Sequence, residues 1–518
     1  MAKHLMVLGT ASHVGKSVLV AALCQIFSRD VAVAPFKAQN MSLNSWITNT
    51  GGEIGIAQAI QAWAAGIEPT VDMNPVLLKP KGDRMSQVVI LGKPAYDRRA
   101  GDYYESINEI SGVVDDAIKR LEKTCDLIVI EGAGGAAEIN LYDRDIVNIG
   151  TARSVRPPII LVGDIERGGV FASLYGTLAL LPDDIRVLVK GFVINKFRGD
   201  YSILAPGISE IEEITGLPVF GVLPYADIAI PSEDSVSIPD KMVQHHNHDH
   251  DPHQQHQHQQ HQQHQHHPID IVVIRLPRIS NFTDFEPLET FANVRYLPLN
   301  SDLGDPDLII VPGTKNTTAD LKEMQTHGMN ARIIDAAGRG TPVIGICGGY
   351  QMLGHTITDC GFEDCETEIA GMGLLNVTTT FERYEKQTQQ VTKQVTAGGP
   401  ILETIRGKTV TGYEIHTGDT TSPHPVFGDD GCIDGSGLVF GTYLHGLFEN
   451  ENIREAIFRY IYAKKGMSLE GISFGVATKE EGIREFAEIV EKCVDISAIR
   501  TILWGSPPDH KPIADRTP

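Results

Sequence analysis

A glycine-rich loop between a strand and a helix opens the chain, and it narrows the choice of fold more than anything that follows. Leu5-Met6-Val7-Leu8 is a short apolar run that reads as a buried strand, and Val18 to Phe27 is an apolar-rich helical stretch. Between them stands Gly9-Thr10-Ala11-Ser12-His13-Val14-Gly15-Lys16-Ser17. Strand, glycine loop ending in Gly-Lys-Ser, then helix is the context of a phosphate-binding loop. The loop and helix N-terminus aim backbone N–H groups into one concavity, which suits an anion. Lys16 is placed to reach terminal phosphates and the Ser17 hydroxyl to bind Mg²⁺, so ATP and Mg²⁺ are the expected cofactors, with Gly9, Thr10 and Gly15 shaping the cradle. Five residues separate Gly9 from Gly15, one more than the usual spacing.

Strand and helix patterns alternate to about residue 225. Val31–Pro35, Leu127–Ile130, Pro158–Val162 and Leu188–Ile194 read as strands. Several are continuous apolar runs, as in a parallel sheet covered on both faces. Amphipathic stretches such as Tyr104–Lys123 lie between them. A second unit of the same kind begins at Ile269, with strands at Asp270–Arg275, Leu308–Val311 and Val343–Ile346. The expected class is α/β, with two domains that are each a mostly parallel sheet flanked by helices: P-loop NTPase-like over 1–240, then flavodoxin-like over 269–497. At 518 residues the chain is too long for one core.

Residues 241–268 separate the two. His245 to His267 holds eleven of the nineteen histidines and is otherwise almost all Gln, so it cannot build a core and reads as a disordered linker. Neutral imidazoles also bind transition metals, but the composition favours a repeat-expanded tether. Residues 498–518 read as a loose tail. A net charge of −22 argues against nucleic acid or an anionic membrane as partner. No run is long enough to span a membrane, the N-terminus carries no signal-peptide pattern, and the seven cysteines include no CxxC pair. A cytoplasmic protein is expected.

Glu131-Gly132-Ala133-Gly134-Gly135 follows Leu127–Ile130 directly. A carboxylate at a strand end beside the phosphate loop is well placed to hold Mg²⁺ together with Ser17. Lys37, Gln39, Asn40 and Asn44 crowd the loop after the second strand, where they could hold carboxylates and carboxamides. Asn195 follows Leu188–Ile194 and could read an adenine edge. In the second domain Gly345-Ile346-Cys347-Gly348-Gly349 follows a strand and has the form of a nucleophile elbow. Cys347 is the candidate nucleophile, favoured as thiolate by a helix N-terminus. Gly348 and Gly313 are candidate oxyanion donors. His445, just after a probable strand, is the candidate base, with His355 and His416 as competitors.

The loop Gly9–Ser17, the Lys37–Asn44 stretch, Glu131–Gly135, Ile139-Asn140-Leu141 and Gly163–Tyr175 resemble dethiobiotin-synthetase-type ATPases. More narrowly, Ala34–Leu43 and Val170–Leu178 resemble the cobyric acid synthase family. The order of Cys347 and His445 resembles the class I glutamine amidotransferases, except that Leu447 stands where those enzymes usually carry a Glu that orients the histidine. The resemblance implies a ligase that takes adenosylcobyrinic acid a,c-diamide and L-glutamine. Ammonia freed at Cys347 would cross to ATP-activated b, d, e and g carboxylates, and a homodimer is one assembly such a chain could form. Two rivals stand: a cobyrinic acid a,c-diamide synthase, and a partitioning-type ATPase switch. The latter class usually carries a lysine early in its loop, where this chain reads Gly9-Thr10-Ala11, and lacks the cysteine elbow.

Overall fold

The computed structural model describes residues 2–82, 85–99, 107–226, 267–363, 366–382, 386–476 and 479–505. The His/Gln tract up to residue 266, the start of the Tyr104–Lys123 stretch and the tail beyond residue 505 lie outside the described residues.

Two compact units emerge, and neither is contiguous. The first is drawn from Met1–Ser42, Gly52–Pro231 and Ala477–Pro518, the second from Leu43–Gly51 and Ser232–Val476. The division differs from the expected boundaries at two places. The helix Lys479–Cys493 returns to the first unit, where it packs on the helix that follows the phosphate loop, and Val494 bridges Gly221. The nine residues Leu43–Gly51 leave the first unit for the second and come back. Periodicity shows neither, because it reports which face of an element is apolar and not which core that face joins.

The first unit is built on six parallel strands: β1 (Lys3–Gly9), β2 (Val33–Phe36), β3 (Leu127–Glu131), β4 (Ile159–Asp164), β5 (Val189–Phe197) and β6 (Val219–Pro224). Their order is β6-β5-β4-β1-β3-β2. Every residue of β3 is buried, as its unbroken apolar run requires of a strand covered on both faces. β1 sits between β4 and β3, where the strand order reverses, and ligands of such sheets bind outside the carboxyl ends at that point. The register pairs Val7 with Glu131 and Gly9 with Val162, which sets Glu131 beside the loop leaving β1. α1 (Lys16–Phe27) and α2 (Ile56–Ala64) pack on each other. The amphipathic stretch after residue 104 forms a helix over Ile107–Leu121. A four-stranded sheet over Gln39–Met41, Val76–Gly82, Met85–Ile90 and Lys93–Arg99, two of whose three pairings join consecutive strands, is not expected from the sequence.

The second unit carries β7 (Asp270–Arg275), β8 (Asn293–Pro298), β9 (Leu308–Val311), β10 (Val343–Ile346), β12 (Cys432–Ile433) and β13 (Val439–Thr442) in the order β8-β7-β9-β10-β13-β12. All pairs are parallel except the edge strand β12. A separate antiparallel strand, β11 (Thr409–His416), pairs with Leu444–His445. Among the described residues no helix is long and apolar enough to cross a membrane.

Candidate active site

In the first unit the phosphate loop closes on itself. Gly15 caps α1 with φ 99, a left-handed value that glycine adopts without cost. The Lys16 ammonium donates to Ala11 O at 2.9 Å and Gly134 O at 2.8 Å, spanning the two glycine loops at the carboxyl ends of β1 and β3. Thr10 donates its N–H to Val162 O.

Glu131 is fully buried, and a lone carboxylate there would be costly by several kcal/mol. Four side chains answer it. Ser17 Oγ donates at 2.8 Å and Lys37 Nζ at 2.9 Å to Oε1, while Gln61 Nε2 at 2.5 Å and Gln58 Nε2 at 3.3 Å donate to Oε2. Gln58 and Gln61 were missed in the sequence; both stand on α2, one turn apart, facing the carboxyl end of the sheet. Asn40 donates to Gln58 at 3.0 Å and so joins the same network. Gln39 lines a neighbouring cavity of about 450 Å³ with Thr10, Met41, Arg98, Gly134 and Arg144. Lys37, Gln39 and Asn40 belong to the first unit, and Asn44 lies in the segment that belongs to the second. Asn195 is buried and donates from Nδ2 to Val14 O at 2.9 Å, bracing the phosphate loop from β5.

In the second unit Cys347 occupies the turn between β10 and α3 (Gly348–Leu353) with φ 52 and ψ −111. A positive φ at a residue with a side chain is a strained conformation, found where the surroundings over-determine it. Cys347 N–H donates to Thr442 O at 2.8 Å, tying the turn to β13. Gly349 is fixed by space: a Cβ there would overlap the Val311 carbonyl. Gly348 lies against Thr314, and Gly313 faces the Cys347 Cβ and the His445 ring, so both glycines border the thiol.

The Cys347 thiol donates to Ile415 O at 3.3 Å, and the His445 ring stands beside it, close enough for the thiol to raise the imidazole pKa. The imidazole is 1% exposed and stacks on Tyr413 at 5.3 Å. Its Nδ1 lies 2.7 Å from Asp284 Oδ2, and Asp284 Oδ1 accepts the Gly446 N–H at 3.2 Å. Burial alone would lower the His445 pKa; the Asp284 carboxylate and the Cys347 contact outweigh it and push it up to about 10.

Asp284 was not found in the sequence. It sits on the 3-10 turn Phe282–Phe285 after β7, and an acidic residue near a strand end is too common to single out. Leu447 is buried in the apolar core and supplies no substitute. The competitors stand elsewhere. His355 is exposed, and His416 stacks on Tyr443 at 3.6 Å, its pKa pushed down to about 4 by burial. A sulfur, an imidazole beside it and a carboxylate on that ring's Nδ1 form the constellation of nucleophilic amide chemistry.

Residues 5–237 match the sequence model of a CobQ/CobB/MinD/ParA nucleotide binding domain, and residues 270–453 that of a CobB/CobQ-like glutamine amidotransferase domain. A probable cobyric acid synthase of Methanococcoides burtonii is 60% identical over 98% of this chain and 98% of its own. One from Methanosarcina barkeri is 59% identical over 97% and 99%. Another, from Methanoculleus marisnigri, is 51% identical over 96% and 98%.

Proposed function

The chain belongs to the cobyric acid synthase family, and from that premise we infer how its two units divide one amidation. It is a glutamine-dependent ligase of cobalamin biosynthesis. It uses ATP to amidate the b, d, e and g carboxylates of adenosylcobyrinic acid a,c-diamide, and we place it in the cytoplasm. The observation that carries the reading is the Cys347–His445–Asp284 arrangement in a chain whose other unit holds a lysine-bearing phosphate loop.

At the elbow, His445 takes the Cys347 proton at Nε2 while Asp284 holds Nδ1–H. The sulfur attacks the glutamine side-chain carbonyl carbon, and the oxyanion faces the backbone N–H groups at Gly348 and Gly313. His445 returns the proton to the leaving nitrogen, ammonia departs and a thioester remains. Water, deprotonated by His445, then releases glutamate and restores the thiol.

In the synthetase unit Gly9–Ser17 receives the ATP phosphates, with Lys16 exchanging its two carbonyl partners for phosphate oxygens. Asn195 keeps the loop in shape. The donor pair at Ser17 and Glu131, a hydroxyl and a carboxylate oxygen 2.8 Å apart, would suit Mg²⁺. Bound by these two residues, the ion would supply charge neutralisation for the transferred group. Lys37, seated on Glu131, is one cation available for the phosphoryl group. A corrinoid carboxylate oxygen attacks the γ-phosphorus, ADP leaves, and an acyl phosphate forms. Ammonia attacks its carbonyl carbon, phosphate leaves with the C–O bond electrons, and an amide results. Gln39 and Asn40 border this site, and Asn44 follows them into the second unit.

Mass spectrometry of the corrinoid after incubation with ATP, Mg²⁺ and glutamine tests the reading. Conversion of the a,c-diamide at b, d, e and g is expected. Amidation of cobyrinic acid at a and c alone would instead assign the diamide synthase reaction.

A further inference from the structure

The four-stranded sheet of the first unit turns one face toward the phosphate loop, and its register sets which side chains that face carries. Met41 pairs with Leu78, Leu78 with Val88 and Val88 with Tyr96, so these four form a row across the strands. Pro80, Ser86 and Arg98 form the next row. Alternation sends Asn40 the other way, onto Gln58, and leaves Gln39 and Met41 on this face. Gln39, Met41, Leu78, Ser86, Val88 and Arg98 make one wall of the cavity of about 450 Å³. Thr10 to Ser12 of the phosphate loop and Ala133 to Gly135 of the second glycine loop border it from the other side, and Arg144 stands with them. All of these residues belong to the first unit.

The wall is chemically divided. Met41, Leu78 and Val88 make an apolar strip, on which Met41 is 55% exposed. Two guanidiniums border the strip. Arg98 lies over the Tyr96 ring at 4.6 Å, which holds it on the cavity side of the sheet. Arg144 is exposed on the turn that its N–H closes onto Leu141 O. Two acids border the same space: Asp145 accepts the Asn148 N–H at 2.7 Å and its amide nitrogen at 3.0 Å, and Glu138 lies against Gly135. An apolar strip between two guanidiniums, opening on a phosphate loop, suits a ligand with an apolar body and carboxylates on short arms. A corrin ring with carboxylates at b, d, e and g has that chemistry.

We propose that this face of the sheet is the seat of the corrinoid. One edge of the ring rests on Met41, Leu78 and Val88, with the remainder of the macrocycle outside. Arg98 and Arg144 hold carboxylate arms that flank the reacting one, and the reacting arm reaches past Thr10–Ser12 to the γ-phosphate. Four arms are amidated at one phosphate loop, so no contact can be specific to a single arm. An apolar strip and two guanidiniums meet that need, since they take any ring edge that carries carboxylates. Each amidation turns a carboxylate into a neutral amide and removes one partner of the arginines. Affinity therefore falls along the series, and the fully amidated product is the weakest ligand. The seat presupposes the ligase reading above, and its residues select that reaction's substrate.

Steady-state kinetics on the full-length chain test it, with KM measured for adenosylcobyrinic acid a,c-diamide and for ATP. Arg98→Met and Arg144→Met should each raise the corrinoid KM by on the order of tenfold, the weight of a hydrogen bond to a charged group, and leave the ATP KM in place. Arg98→Lys and Arg144→Lys should recover part of the loss. The ratio of variant to wild-type KM should shrink when a partly amidated intermediate replaces the a,c-diamide. Met41→Glu and Met41→Lys disturb the sheet alike at an exposed position but charge the strip oppositely, so the corrinoid KM should be higher with Glu. Equal corrinoid KM values in the two Met41 variants, arginine variants with the wild-type corrinoid KM, or a parallel rise in both KM values would overturn the seat alone. A wild type that amidates no corrinoid would overturn the ligase reading and the seat with it.

Discussion

The Asp284 carboxylate holds His445 Nδ1 at 2.7 Å across 161 residues of chain and takes the Gly446 N–H with its other oxygen. The two contacts fix both the tilt and the tautomer of the ring. Asp284→Asn presents an amide where Nδ1–H needs an acceptor, and should lower kcat for glutamine hydrolysis by roughly a hundredfold to ten-thousandfold with little change in KM. Amidation fed by ammonia should persist. A steady-state comparison of both nitrogen sources checks it; equal loss with both would show that Asp284 acts on the fold and not on the ring.

Leu447 is 1% exposed within the core of the second unit. Restoring the acid that class I amidotransferases carry at this place, as Leu447→Glu, buries a carboxyl group without a partner. A loss of about 2–4 kcal/mol is expected, read as a lower urea midpoint. Added to Asp284→Asn, it should not bring glutaminase turnover back.

Lys16 bridges the glycine loops through Ala11 O and Gly134 O. Lys16→Ala should stop amidation from glutamine and from ammonia alike, while glutamine hydrolysis at Cys347 remains measurable. Amidation that survives with ammonia would remove the lysine from the phosphoryl step.

Two buried histidines give the second unit opposite pH slopes. His445 has its folded pKa raised, so its contribution to stability is complete below the unfolded value near 6.5 and fades as pH climbs toward about 10. His416 has its pKa lowered to about 4, so its contribution is present above 6.5 and is lost as pH falls toward 4. Urea midpoints taken from pH 4 to 10 should fall at both ends. Asp284→Asn should flatten the alkaline side and leave the acid side in place.

Much of the sheet framework can be read from apolar runs. Asp270–Arg275, Leu308–Val311 and Val343–Ile346 are strands with the bounds their composition suggests, because a strand buried on both faces carries an unbroken apolar run through its middle. The polar antiparallel strands escape that logic: Gln387–Gln394 alternates between exposed and half-covered and reads as loop. In the site, Cys347 is marked by local glycines and His445 by a strand end. Asp284 carries no local signature, since what matters about it is which ring it meets in three dimensions. Leu43–Gly51 is hidden for a further reason. It sits in a polar stretch of the first half of the chain, and nothing in its neighbourhood announces that it folds with the second.

The central claim is that one nitrogen passes from glutamine, through Cys347, to a corrinoid carboxylate activated by ATP. Incubation of the protein with ATP, Mg²⁺, adenosylcobyrinic acid a,c-diamide and glutamine labelled with ¹⁵N at the side-chain amide, followed by mass spectrometry, measures that transfer directly. The label should appear in the new amides of the wild-type product. With Cys347→Ala it should be absent, and unlabelled ammonia added to that variant should enter in its place. Amidated product without label from the wild type, or labelled product from Cys347→Ala, would contradict the account.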